Sequence, residues 1–443
     1  MTTKYEKAVT RYLERHAHEV PGAEELPAPG DELRASVVIP AYDELDAIGK
    51  VLGSLEAASE RPECFEVIVV VNNADDTDDR VVERNRETIA LLEGLDTPFA
   101  LHVIDRSAPG RAYDAEVAGV GLARREGCDL ALMRLHEAGR ALDGLIPCLD
   151  GDSPVAEGYI DAALAAFDAD EAMLAGVCRY RHPIPDDEEH ARAICAYEGW
   201  MRYWEAALLL TGTPYAFQSI GSCMVLTARG YALADGMPTL QALSDFYVLE
   251  KVVKAGGRGA VRQLDEPMVY PSARPSGRVP RGTGPSVQMQ LDSETDRFAM
   301  AEPPRVFFTL REYFSKVAEG FDDPALLLPP TGDERLDAFL EHRSAEETLQ
   351  KLRDNAPTAR HFERHFHTWF DNLQIVKFAN ATRRAEGGVW LLDAARRVYR
   401  SLGLLEAAEA VPEVGPERAE VDDWRAFLEA ARAASLEVTR APV

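Results

Sequence analysis

Apolar and polar positions change rhythm twice along this 443-residue chain. Tyr5, Val9, Tyr12 and Leu13 fall at helical spacing, which predicts a short amphipathic helix within residues 1–20. Pro21, Pro27, Pro29 and Gly30 then break the pattern, so residues 1–34 read as a helical arm and linker. From residue 35 short apolar runs alternate with stretches of helical period. The runs at 36–39, 66–71, 99–104 and 145–149 predict buried strands, and 46–58 and 119–127 predict helices. This alternation implies an α/β fold, a mostly parallel sheet flanked on both faces by helices. Past about residue 300 the strand rhythm stops, and 305–318, 333–353, 358–380, 388–403 and 417–437 all read as helices. The expected organisation is an arm at 1–34, a sheet domain at 35–295 and a helical C-terminal region at 296–443.

Composition narrows the classes of function. A hydrophobic content of 46% allows a large core. No run approaches the roughly 18 to 20 apolar residues of a membrane helix, and the first residues lack the apolar core of a secretory signal. A soluble, cytoplasmic protein with no transmembrane segment is expected. Cys64, Cys128, Cys148, Cys178, Cys195 and Cys223 sit in apolar surroundings without CxxC spacing, as reduced buried thiols do. The formal net charge of −27 argues against nucleic acid or an anionic membrane as partner.

Candidate chemistry follows from where the carboxylates fall. Asp150-Gly151-Asp152 ends the apolar run 144–149. Charges at a core edge call for a cationic partner, and two carboxylates one residue apart can turn toward one hard divalent ion. A solvated turn with a helix cap is the competing reading. Two more polar clusters follow predicted strands, Pro40-Ala-Tyr-Asp-Glu44 and Asn72 through Asp79. Each alone is explained by capping and helix dipoles. Together they share the carboxyl ends of the strands, where open α/β sheets bind ligands. His361, His365 and His367 look superficially like a metal site, but Phe362, Phe366, Trp369 and Phe370 around them favour packing.

The combination resembles glycosyltransferase family 2, whose nucleotide-sugar-binding domain has the GT-A fold. Val37-Val-Ile-Pro-Ala-Tyr-Asp-Glu44 is similar to that family's first-strand signature, with Asp43 in place of the usual Asn. Val69-Val-Val-Asn-Asn73 resembles the second-strand end, where paired Asp residues are usual, and Asp150-Gly-Asp152 resembles the metal-binding Asp-x-Asp. Pro109-Gly-Arg111 resembles the element that approaches the nucleotide. Tyr197-Glu-x-x-Met-Arg-Tyr203, Pro214-Tyr-Ala-Phe217, Ser219-Ile-Gly-Ser222 and the stretch 271–284 resemble a soluble bacterial subgroup.

The resemblance covers about residues 35–290 and implies an inverting, Mn²⁺- or Mg²⁺-dependent transfer from a UDP- or GDP-sugar to an acceptor hydroxyl. It implies Asp245 as general base, with Ser244 where Glu is usual, and Asp150 and Asp152 as metal ligands. Pro40, Tyr42, Glu44, Asn73, Arg111 and Asp150 become candidate donor contacts, joined by Arg274, Arg278 and Arg281 on a Gly/Pro/Ser-rich stretch suited to a flap. Three alternatives stay open: a retaining transferase, a nucleotidyltransferase, and a weakened nucleotide-sugar-binding protein. The acceptor is undetermined, and the C-terminal helices could shape its site or mediate a homodimer.

Overall fold

The computed structural model of the chain describes residues 3–16, 20, 26–292 and 297–440. These pack as two compact units, residues 1–183 with 219–285 and residues 184–218 with 286–443. The elements that carry the argument are helices α1 (Lys4–His16), α2 (Ile48–Leu55), α3 (Asp79–Glu93), α4 (Val120–Glu137), α5 (Tyr159–Ala169), α6 (Glu188–Thr211), α7 (Ala228–Leu233) and α8 (Ser244–Gly256). The strands are β1 (Ala35–Ala41), β2 (Phe65–Asn72), β3 (Ala100–Arg106), β4 (Leu145–Cys148), β5 (Ala175–Tyr180), β6 (Met224–Thr227) and β7 (Val261–Val269).

The first unit is built on one seven-stranded sheet in the order β3-β2-β1-β4-β6-β5-β7. β1 pairs in parallel with β2 and β4, β2 with β3, and β5 with β7, while β6 runs antiparallel to both neighbours. The expected mostly parallel sheet flanked by helices is therefore present, with helices dominating the C-terminal region. Every residue of β1 and β2 is buried, which is why their sequences are continuous apolar runs without alternation.

Pro40 sits inside β1 without damaging it. Leu149 donates to the Val38 carbonyl, so residue 40 faces the same neighbour, and the β4 ladder ends with Val38 opposite Cys148. The missing N–H therefore falls where that pairing has already stopped. Helix α4 lies against β1 and β2 at very short range. A Cβ at Gly127 would come within 2.4 Å of the Val38 side chain, so only glycine permits this approach. α1 packs on α7 within the same unit, where the Tyr12 hydroxyl donates to Asp129 at 2.7 Å.

A buried ionic cluster braces the start of the sheet. Glu66 on β2 accepts from Arg134 of α4 at 2.7 to 3.0 Å and from Ser36 at 2.7 Å, with His102 of β3 at 3.2 Å.

In the second unit the central element is α6, which buries most of its length. Glu198, fully buried on this helix, accepts from Arg202 one turn on and from Arg432 near the C-terminus at 2.9 Å. The stretch expected as one helix over 333–353 is two, Glu334–His342 and Ala345–Asp354, separated by Ser344 at φ 50°. The segment 358–380 likewise breaks into Ala359–Trp369 and Asn372–Glu386, the second capped by Asp371. His361 packs its ring nitrogen 2.8 Å from the Thr358 hydroxyl, and His367 is buried among Phe314 and Phe366. No helix of the described residues is long and apolar enough to cross a membrane.

Candidate active site

The parallel neighbours of β1 lie on either side of it, β2 reached first and β4 later in the chain, so the chain reverses direction across the sheet at β1 and β4. Such a switch point opens a crevice beyond the strand ends. Glu44 follows β1 and Asp150 to Asp152 follow β4, so the topology delivers these carboxylates to one place. Gly151 makes the approach possible, because a Cβ there would stand 2.9 Å from the Glu44 Cγ.

Two guanidiniums from the stretch after β7 hold the carboxylates. Arg274 Nη2 donates to both Glu44 oxygens, at 2.6 and 2.9 Å, and to Asp152 at 2.9 Å. Arg278 Nη2 lies 2.8 Å from Glu44, and its Nη1 donates to the Tyr42 and Asp43 carbonyls at 2.9 Å each. Burial, reinforced by the nearby Asp152 charge, pushes the Glu44 carboxyl up to about 8, with Arg274 opposing the shift. Asp152 is raised too, first by burial and then by Asp150. Crowded acidic groups of this kind are unfavourable without cations, and the arginines supply them here.

A residue that motif reading overlooks ties the rest together. Arg124 of α4 is 5% exposed; it donates to Asp150 and, at 3.3 Å, to the Ser244 hydroxyl. Burial works against its charge, yet Asp150 and then Asp245 hold its pKa above the ordinary arginine value. Gly221 leaves the room it needs, since a Cβ at that position would fall 2.2 Å from Arg124 Nη2. Asp245 stands in the first turn of α8 and accepts from the Phe246 N–H at 2.9 Å. Burial raises its carboxyl pKa, and Arg124 draws it back. Ser244 thus lies fully buried as the acceptor for Arg124.

Asn73 is placed at the end of β2, with its side chain already engaged. Its oxygen accepts from Asn85 at 2.9 Å, and its amide donates to the Ala74 carbonyl at 2.9 Å. Asn85, fully buried on α3, also accepts from the Asp43 N–H at 3.0 Å and donates to the Asn72 carbonyl. It is therefore the clasp between the loops after β1 and β2. Asp43 itself adopts φ 54°, a left-handed conformation that Asp and Asn tolerate better than most side chains, and it pairs with Arg84. Tyr42 is half-buried beside Thr77. Arg111 is exposed, 3.7 Å from Asp105, and Arg281 is exposed with no ion pair to the cluster. Neither is drawn into the carboxylate–guanidinium cluster that holds Glu44, Asp152, Arg274 and Arg278.

Among the described residues no three His, Cys, Asp or Glu side chains converge as a self-sufficient metal site. The donor set nonetheless suits a hard divalent ion. Mg²⁺ and Mn²⁺ take oxygen ligands and are commonly bound through one or two carboxylates, with substrate phosphates and water completing the shell. Asp152 already draws a cation, the Arg274 guanidinium, to its oxygen.

No family model and no curated protein matches the chain. Solved structures with some likeness include S. aureus TarS 1–349 in complex with UDP-GlcNAc, with a TM-score of 0.37 and 15% identity over 91% of this chain and 90% of that one. Another is the mannosyltransferase PcManGT from Pyrobaculum calidifontis in complex with GDP-Man and Mn²⁺, at a TM-score of 0.35 and 17% identity over 98% and 95%. Likenesses this distant say nothing about substrate, and the site stands on its own geometry.

Proposed function

We propose that the protein is an inverting, divalent-metal-dependent glycosyltransferase that moves a sugar from a UDP- or GDP-sugar to an acceptor hydroxyl. The observation that carries this reading is the meeting of Glu44, Asp150, Asp152, Arg274 and Arg278 at the β1/β4 switch point, with Arg124 joining Asp150 to Ser244, the neighbour of Asp245. A base, cations for a diphosphate and a crevice for a nucleoside are what the reaction requires.

Asp245 takes the hydroxyl proton of the acceptor as that oxygen attacks the anomeric carbon. A carboxylate cannot ionise an alcohol beforehand, so proton transfer accompanies bond formation; the raised pKa of Asp245 narrows the gap. The buried Arg124, bonded to Asp150 and to the Ser244 hydroxyl, ties Asp150 to the first turn of α8, where Asp245 stands. Arg274 and Arg278 exchange their carboxylate partners for the donor diphosphate, where guanidinium forks fit phosphate oxygens. Asp152 and Asp150 would hold the divalent ion, which supplies Lewis-acid neutralisation of the leaving diphosphate. Tyr42 and Asn73 border the nucleoside side, and we retain Arg111 and Arg281 as donor contacts reached when the donor binds. All six cysteines are buried and free, which supports a reducing, cytoplasmic setting.

Calorimetry with UDP- and GDP-sugars, with and without Mn²⁺, tests the reading on wild type and Asp152→Asn. Binding should require the ion and weaken by about tenfold or more in the variant. A folded protein that binds none of these donors would overturn the proposal.

A further inference from the structure

The second unit holds a pocket of about 500 Å³ lined by none of the residues the transferase reading uses in its chemistry. Its polar lining is Arg192, Arg297 and Arg383, and its apolar lining includes Met300, Trp390 and Pro416. Three guanidiniums around one cavity are unexpected in a chain with 75 acidic and 48 basic residues.

Local structure explains how they are assembled. The short strands Met300–Ala301 and Val389–Trp390 pair antiparallel, setting Met300 opposite Trp390. The Trp390 ring nitrogen donates to the Val414 carbonyl at 2.8 Å, which fixes the indole as a wall. Arg383, in the last turn of helix Asn372–Glu386, donates to Glu302 at 2.8 Å and to the Arg297 carbonyl at 3.2 Å.

Glu302 does not satisfy both Arg297 and Arg383. One of its oxygens is taken by Arg383 and the other accepts from the Trp200 ring nitrogen at 3.0 Å. Arg297 approaches it only to 3.9 Å, too long for a hydrogen bond. The Arg297 Nη1 is buried and has no hydrogen-bond partner, a state that native structures rarely leave unanswered. Burial, with the Arg383 charge beside it, pulls the Arg297 pKa below its ordinary value. What the Arg297 Nη1 wants is a hydrogen-bond acceptor.

We propose that this pocket binds a small organic oxyanion, its phosphate or carboxylate held by Arg297 and Arg383 and its apolar or ring-bearing body laid against Trp390 and Met300. Guanidinium forks match both oxyanions in pairs of hydrogen bonds. The cavity volume lies within the roughly 300 to 1,000 Å³ of small-molecule sites, which leaves room for more than a bare ion.

The test uses the full chain and three probes: phenyl phosphate, benzoate and inorganic phosphate. Tryptophan fluorescence should change saturably with phenyl phosphate or benzoate, more strongly than with inorganic phosphate, and the change should shrink in Trp390→Phe. Whichever organic probe binds more tightly names the headgroup. Arg297→Gln should weaken binding by about tenfold or more, and Arg297→Lys by less, because charge is kept and only the fork is lost. Thermal melting establishes that each variant folds. The proposal fails if neither organic probe binds saturably, or if affinity is unchanged in both Arg297→Gln and Arg383→Gln. It also fails if Arg278→Gln abolishes the signal, since the probes would then be reporting the first unit's site.

Discussion

Asp245→Asn is expected to slow sugar transfer by about 10²- to 10⁴-fold while donor affinity stays within about threefold of wild type. The amide keeps the shape of the side chain and its place in the first turn of α8 but cannot accept the acceptor's proton. In the proposed mechanism donor binding falls instead to Asp152, Arg274 and Arg278, whereas the Asp245 carboxylate accepts from the Phe246 N–H of its own helix. Slow transfer to water provides a readout that requires no knowledge of the acceptor: release of nucleoside diphosphate from the donor alone. Arg124→Met should behave differently. It removes the guanidinium that donates to Asp150 and to Ser244 beside Asp245, so it should reduce turnover and donor affinity together. Equal turnover in wild type and Asp245→Asn, with donor binding intact, would remove Asp245 from the mechanism.

Glu66→Gln should cost about 3 kcal/mol of stability at pH 7, and the loss should disappear in acid. Glu66 is 2% exposed. Burial alone would raise its pKa, but the hydrogen bonds from His102 and Arg134, the Arg134 charge and Ser36 outweigh it and bring the carboxyl down to about 2. A carboxyl whose folded pKa lies below its unfolded value stabilises the fold above the unfolded value, near 4.5. That stability drains away as pH falls from there toward 2. Denaturant melts at a series of pH values should therefore show a steep acid limb in wild type and a flatter one in the variant. Parallel curves separated by a constant offset would mean that Glu66 contributes by packing and not through its charge.

Why some of this is visible in the chain and some is not comes down to environment. β1 and β2 are covered on both faces, so their residues are apolar without interruption and announce themselves. β7 buries only about every third position and contains Arg262, Asp265, Glu266 and Pro267, while β6 is only four residues long; neither offers a run or an alternation long enough to read. The stretch 119–127, read as part of a helix, lies in α4, which runs to residue 137 and is buried nearly all round. With neighbours on every side it has no polar face, so Arg124, Asp129 and Arg134 look like surface charges although each is buried.

The candidate site divides along the same line. Glu44, Asp150 and Asp152 sit at strand ends, where carboxylates after an apolar run are conspicuous. Asn85 and Arg124 lie in helices and act through contacts made 42 and 26 residues away, which no local pattern encodes. Arg192, Arg297 and Arg383 are harder still, since only the fold of the second unit brings them to one cavity.

The make-up of that second unit bears on how the chain is synthesised. α6 leaves the ribosome long before the residues that bury it, because its ionic partner Arg432 comes 234 positions after Glu198. At translation rates of about 5 to 20 residues per second, the helix waits on the order of ten to fifty seconds with its Glu198 face uncovered. A chain stopped at residue 295 would never end that wait. It would carry the sheet and every group of the candidate active site, together with a helix whose own unit is missing, and a chaperone-dependent or aggregating product is its expected fate.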